Sequence, residues 1–193
     1  MRTSRAHQNP CSDYAECRIE GGLASTIDVT VSTTTSAPRE KAFDVIAPIE
    51  LSSIFKRWLF IPGVDGVRDQ SGPWNTEGQT RTVLLSDGTS VNEALTNVER
   101  PSSFGYRVGP FPRPLGLLAT RASGSWSFTS QNNGDTGIRW TYRFEPAPGR
   151  GWLVRLVVAP AWRRYAQLGL ELAVAQVEND QSRPGSGNPI TPC

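Results

Sequence analysis

The segment GIRWTYRFEP, Gly137 to Pro146, places Trp140, Tyr142 and Phe144 on alternate residues, with Arg139, Thr141 and Arg143 between them. A period of two belongs to a β-strand, because successive side chains leave opposite faces of a sheet. One face of this strand is aromatic and the other is polar and basic. The same parity recurs in FGYRV, with Phe104 and Tyr106, and in GSWSFTS, with Trp126 and Phe128. Three such strands make one broad apolar surface, which a folded domain has to cover. Large rings are expected to pack near the covering element, with a hollow beyond them.

Turn signals order the strands. GQTRTVLL runs into the Asp87–Gly88 turn, and TSVNEALTNVE returns from it. FGYRV, the proline-rich loop GPFPRPLG, GSWSFTS and the connection QNNGDTG complete an antiparallel meander ending in IRWTYRFEP. Ahead of it, STIDVTVSTTT alternates as a half-buried strand. SAPREKAFDVI then reads as a helix with Ser36 as N-cap, Pro38 in its first turn, and Ala42, Phe43 and Ile46 on its apolar stripe. Pro48 should end that helix, ELSSIFKRWLF reads as a second short one, and IPGVDG reads as a turn.

From Gly151 the period changes. A long helix is predicted from about Ala161, with Trp162, Tyr165, Leu168 and Leu172 on one stripe. Leu153–Val158 fits either strand or helix, and Pro160 should kink or interrupt the segment. The fold class is therefore α+β: a curved antiparallel sheet covered by a long C-terminal helix, with two short helices after the first strand. Residues 25–180 form one domain, between disordered tails at 1–24 and 181–193.

Composition narrows the function. A net charge of +2 gives no reason to expect nucleic acid as a partner, and the excess of arginine, with Lys41 and Lys56 the only lysines, fits codon bias. Cys11, Cys17, Cys193 and the single histidine, His7, all lie in the tails, where they read as incidental reduced thiols and a polar residue. No metal or cofactor is expected. No apolar run approaches a membrane span and the N-terminus lacks the apolar core of a secretory signal, so a cytoplasmic location is expected. Sequence does not set the oligomeric state.

Three stretches carry a resemblance: TSAPREKAFDVI, WNTEGQTRTVLLSDGTSVNEALTNVERPSSFGYRV and the closing VAQVEND. Between Ser25 and Glu178 the chain resembles the START-like, or SRPBCC, superfamily, the helix-grip fold shared by the birch-pollen-allergen family and the polyketide cyclases. That resemblance implies a hydrophobic small-molecule ligand, or cyclisation of a polyketide. The loop GPFPRPLGLLATRASG carries no cyclase signature, so no catalytic residue transfers by position.

Glu93 shares its inward parity with Val91 and Leu95. A carboxylate there must be paired, or become neutral with a raised pKa. It is the candidate acid or base, with Tyr106 or Tyr142 beside it; alternatively it pairs with Arg81 on the neighbouring strand or lies at the open end of the sheet. Asn92 has the opposite parity and should be solvated. The candidate ligand-binding set is Trp74, Arg81, Glu93, Tyr106, Trp126, Trp140 and Tyr142, with Trp74 a lid over the cavity mouth or a loop anchor. WLVRLVVAPAWRR has the arginines and tryptophans of a membrane-surface segment, but such residues more often edge a packed helix, and that is the reading expected here.

The leading expectation is a binding module for a hydrophobic or aromatic, lipid- or polyketide-like molecule, held between sheet and C-terminal helix. The alternatives are a polyketide cyclase or dehydratase using Glu93 with a tyrosine, and an interaction protein with a closed core.

Overall fold

The computed structural model describes residues 25–182. The readings of His7, Cys11, Cys17, Cys193 and most of both tails lie outside the described residues. The chain runs β1 (Ile27–Thr35), α1 (Arg39–Ile46), α2 (Leu51–Ile54), β2 (Val64–Arg68), β3 (Thr80–Leu85), β4 (Ser90–Glu99), β5 (Ser103–Val108), a 3-10 turn (Leu115–Leu117), β6 (Ala119–Ser130) and β7 (Thr136–Pro146). It closes with α3 (Gly151–Leu153), a π-helical turn (Val154–Val158) and α4 (Ala159–Gln181), which follow one another without a break.

All seven strands form one antiparallel sheet in the order β1-β7-β6-β5-β4-β3-β2. The meander accounts for β2 to β7. β1 breaks the order by pairing with β7, Ile27 opposite Phe144, so the first and last strands lie side by side. The predicted turn IPGVDG is corrected here: Val64–Arg68 is an edge strand on β3, irregular between Val64 and Gly66. Two glycines and a proline in nine residues hide so short a strand from pattern reading.

The aromatic parity holds in full: Phe104, Tyr106, Trp126, Phe128, Trp140, Tyr142 and Phe144 are all buried. Trp126 stacks on Trp140 at 4.7 Å between ring centroids, and Tyr142 lies 4.4 Å from Trp162 of the helix. The helix meets the rings of β7 with Trp162, and much of the rest of its buried face is made of small residues. Ala166, Gly169 and Ala173 are buried with Leu170 and Val177, whereas Leu172 is exposed and Leu168 half-buried. The predicted stripe holds at Trp162 and Tyr165 and then turns away, the buried face continuing through Ala166, Gly169, Leu170 and Ala173, with Gly169 close to Phe55 and Ile54.

Helix boundaries also differ from expectation. α1 begins after Pro38, with no side-chain cap, and Thr35 rather than Ser36 accepts a backbone bond, from the Ala37 amide at 3.3 Å. The long helix starts ten residues before Ala161, and Pro160 leaves it intact. Proline cannot donate to the carbonyl four residues back, here Leu156, and the wider π-turn ends at Val158, just ahead of it. A local change of helical register thus accommodates the proline, and the ambiguous valines of Leu153–Val158 are helical.

Gly124 shows how tightly the interior is filled. It lies between Tyr106 on β5 and Tyr142 on β7, and a β-carbon there would sit 2.2 Å from Tyr106 Cζ. Gly124→Ala is expected to displace the Tyr106 ring and lower stability by about 1–3 kcal/mol, the usual cost of overpacking, as read from urea unfolding.

Candidate functional site

Arg81 and Glu93 face each other across β3 and β4. Arg81 Nε donates to Glu93 Oε2 at 2.8 Å, and Nη2 lies 2.7 Å from the same oxygen. Both side chains are inside, 7% and 11% exposed, so the pairing and the inward orientation hold together. No described residue hydrogen-bonds Glu93 Oε1. Burial pushes the Glu93 carboxyl up from the usual glutamate value, and the charge and hydrogen bond of Arg81 draw it partly back. Asn92, on the other face, is exposed and accepts from Thr82 at 3.3 Å.

Trp74 seals this corner. Its ring lies over the guanidinium, 3.9 Å from Arg81 Cζ to the centroid, and the residue is buried. Its φ of 60° is left-handed, a conformation costing about 1–2 kcal/mol without glycine. The strain is offset by burying a full indole against a cation. Gln79 braces the loop by accepting from the Asn75 amide at 2.8 Å.

Tyr106 completes the polar wall. Trp140 Nε1 donates to its hydroxyl oxygen at 3.2 Å, which leaves the phenol proton free for another acceptor. Burial first, then the Glu93 charge, raises its pKa well above the ordinary range, so it stays protonated at physiological pH. Burial acts in the same direction on Tyr142.

Trp74, Arg81, Glu93, Tyr106, Trp126 and Trp140 line one inner cavity of about 30 Å3. Its opposite wall is Ile46, Leu51, Ile54 and Phe55, from α1, α2 and the residue after α2. Two expectations change. The hollow lies under α1 and α2, and no residue of the long helix lines it. It is also small, with room for about one or two water molecules, because stacked rings fill the remaining space. Tyr142 stands apart from it, packed between Phe144 and Trp162.

Outside the same wall is an open groove of about 320 Å3, lined by Ile54, Trp58, Tyr165, Leu168 and Leu172 with Lys56, Arg57 and Glu171 at its rim. Ile54 lines both spaces. Phe55 stands beside it, its ring 5.8 Å from Trp140 inside and 5.5 Å from Tyr165 outside. The partition is thus one short helix and one phenylalanine. Sequence reading did not find the groove, although its signal was present: Leu168 and Leu172 are an apolar pair four residues apart on the long helix, and both line it.

Residues 26–178 match the family described as polyketide cyclase/dehydrase and lipid transport. The chain belongs to that family. Members of this polyketide cyclase/dehydrase family bind hydrophobic ligands or act as polyketide cyclases. Among solved structures it is similar to the ZhuI aromatase/cyclase from Streptomyces sp. R1128, at 15% identity and a TM-score of 0.62, covering 83% of this chain and 99% of that one. It is also similar to the di-domain ARO/CYC BexL of the BE-7585A biosynthetic pathway, at 18% identity and 0.60, covering 82% of this chain and 51% of that one. Ara h 8.0201 matches at 13% identity and 0.59, covering 80% and 99%. At these identities the structures establish the family fold. No curated protein matches the sequence.

Proposed function

We propose that this family member binds a hydrophobic, ring-containing small molecule in the space behind α2, with the ligand's polar end at Arg81, Glu93 and Tyr106. The observation that carries this reading is the buried Arg81–Glu93 pair on the wall of the inner cavity. An ion pair in an aromatic core generally contributes less stability than apolar residues of the same volume. Here it brings an unbonded carboxylate oxygen and a free phenol proton to one cavity, a donor and an acceptor suited to a carbonyl or hydroxyl group.

The inner cavity is far below the roughly 300–1,000 Å3 of small-molecule sites, whereas the outer groove reaches that range. Joining the two by swinging out Ile54 and Phe55 makes a site that is apolar along its length and polar at its end. Native mass spectrometry of protein purified from its own or a related host, followed by denaturing extraction, tests this. A co-purifying apolar compound supports the reading. A clean mass, together with no NMR shift at Ile54, Phe55 or Trp140 on titrating a fluorescent naphthalene probe, counts against it and favours the closed-core interaction protein.

The raised Glu93 carboxyl beside a protonated Tyr106 favours a second reading, cyclisation or dehydration of a polyketide-like substrate by acid–base catalysis. Glu93→Gln separates the two. Turnover is expected to disappear in the variant, while binding by shape survives within about ten-fold, the scale of one neutral hydrogen bond.

A further inference from the structure

Four of the seven large apolar side chains most exposed on the described surface lie at one end of the molecule. Trp152, Leu156 and Val157 are 62%, 68% and 46% exposed on the first turns of the long helix, and Leu117 is 51% exposed on the 3-10 turn. Trp152 and Leu156 are four residues apart, so they share a helix face. The Ala147 amide donates to the Leu118 carbonyl at 2.8 Å, which holds the 3-10 turn against the loop entering the helix.

The charges around this patch have one sign. From Arg150 to Leu170 the chain carries Arg150, Arg155, Arg163 and Arg164 and no acid, and the loop from Gly109 to Leu118 adds Arg113 and no acid. All five arginines are exposed, and none has a carboxylate within ion-pair distance among the described residues. Elsewhere the exposed arginines Arg68, Arg100, Arg121 and Arg143 each have one, whereas Arg57, Arg107 and Arg139 have none among the described residues but are scattered singly rather than grouped. Glu145, the acid on the neighbouring strand end, is taken by Arg121 at 3.6 Å.

We propose that this end docks on an anionic phospholipid surface. Trp152, Leu156, Val157 and Leu117 enter the headgroup boundary, and the five arginines meet lipid phosphates. An apolar group ringed by unpaired cations matches that surface in both polarity and charge, and bidentate guanidinium–phosphate contacts suit arginine in particular. No helix of the described residues is long and apolar enough to cross the bilayer, so the contact is peripheral.

The test is flotation of the full chain with phosphatidylcholine vesicles, with and without about one-third phosphatidylglycerol. Binding is expected only with the anionic lipid and should weaken with salt. Arg155→Gln with Arg163→Gln should lower affinity by roughly 25-fold, about five-fold for each charge removed. Trp152→Ser with Leu156→Asp should remove binding, while Phe60→Asp, at the other exposed apolar site, should leave it unchanged. Circular dichroism confirms that each variant is folded. No binding to anionic vesicles, equal binding to neutral ones, or unchanged binding by the paired variants overturns the proposal. So does a dimer in sedimentation velocity that Leu156→Asp makes monomeric, which would assign the face to a second copy of the chain.

Discussion

Replacing Arg81 with methionine is expected to cost about 3–5 kcal/mol of stability, because Glu93 then keeps its burial without its counter-ion. The loss should depend on pH in a defined sense. With Arg81 present, burial already holds the carboxyl above its usual 4.5, and removing the guanidinium removes the influence that lowers it. A raised folded-state pKa means that the folded protein binds the proton more tightly than the unfolded chain, so stability falls as pH rises above about 4.5. Unfolding of Arg81→Met should therefore lie nearer wild type at pH 4 than at pH 7, by urea midpoint with unchanged slope. The double variant Arg81→Met with Glu93→Leu should recover most of the loss at neutral pH, since it leaves no charge stranded. That double variant also divides structure from function: restored folding with lost ligand binding assigns the pair to recognition, and restored folding with intact binding assigns it to the core.

The pair was legible because strand parity and register are local. Val91, Glu93 and Leu95 alternate, the Asp87–Gly88 turn fixes the hairpin, and once the register is fixed Arg81 falls opposite Glu93. The shape of the cavity was not legible, because it depends on what comes from far away in sequence. Ile46, Ile54 and Phe55 reach the site from segments read only as two short helices, and Trp74 reaches it from a loop through a left-handed backbone that no pattern announces. Gly124 carried a usable signal that went unread: a glycine at an inward position between two tyrosine-bearing strands marks space taken by a ring. The helix face failed for a different reason. Periodicity selects large apolar residues as the core stripe, but the buried face of this helix also takes Ala166, Gly169 and Ala173, with Gly169 giving clearance to Phe55 and Ile54 of the α2 segment.

Trp140→Ala is the deletion expected to affect this interior most. The indole is almost wholly buried, stacks on Trp126, lies 6.2 Å from Trp162, and is the donor to Tyr106. Its removal should cost about 3–5 kcal/mol and enlarge the inner cavity by roughly the volume of a ring. A cavity with apolar walls takes up apolar guests, so indole should raise the melting temperature of the variant. The same compound offered to wild type reports on the partition. The native cavity of about 30 Å3 has no space for an indole unless Ile54 and Phe55 move. Saturable stabilisation of wild type by indole, strengthened in Phe55→Ala, would mean that the wall opens and that groove and cavity join into one site. Stabilisation confined to Trp140→Ala would mean that the wall stays shut, and that the aromatic face of β7 is core.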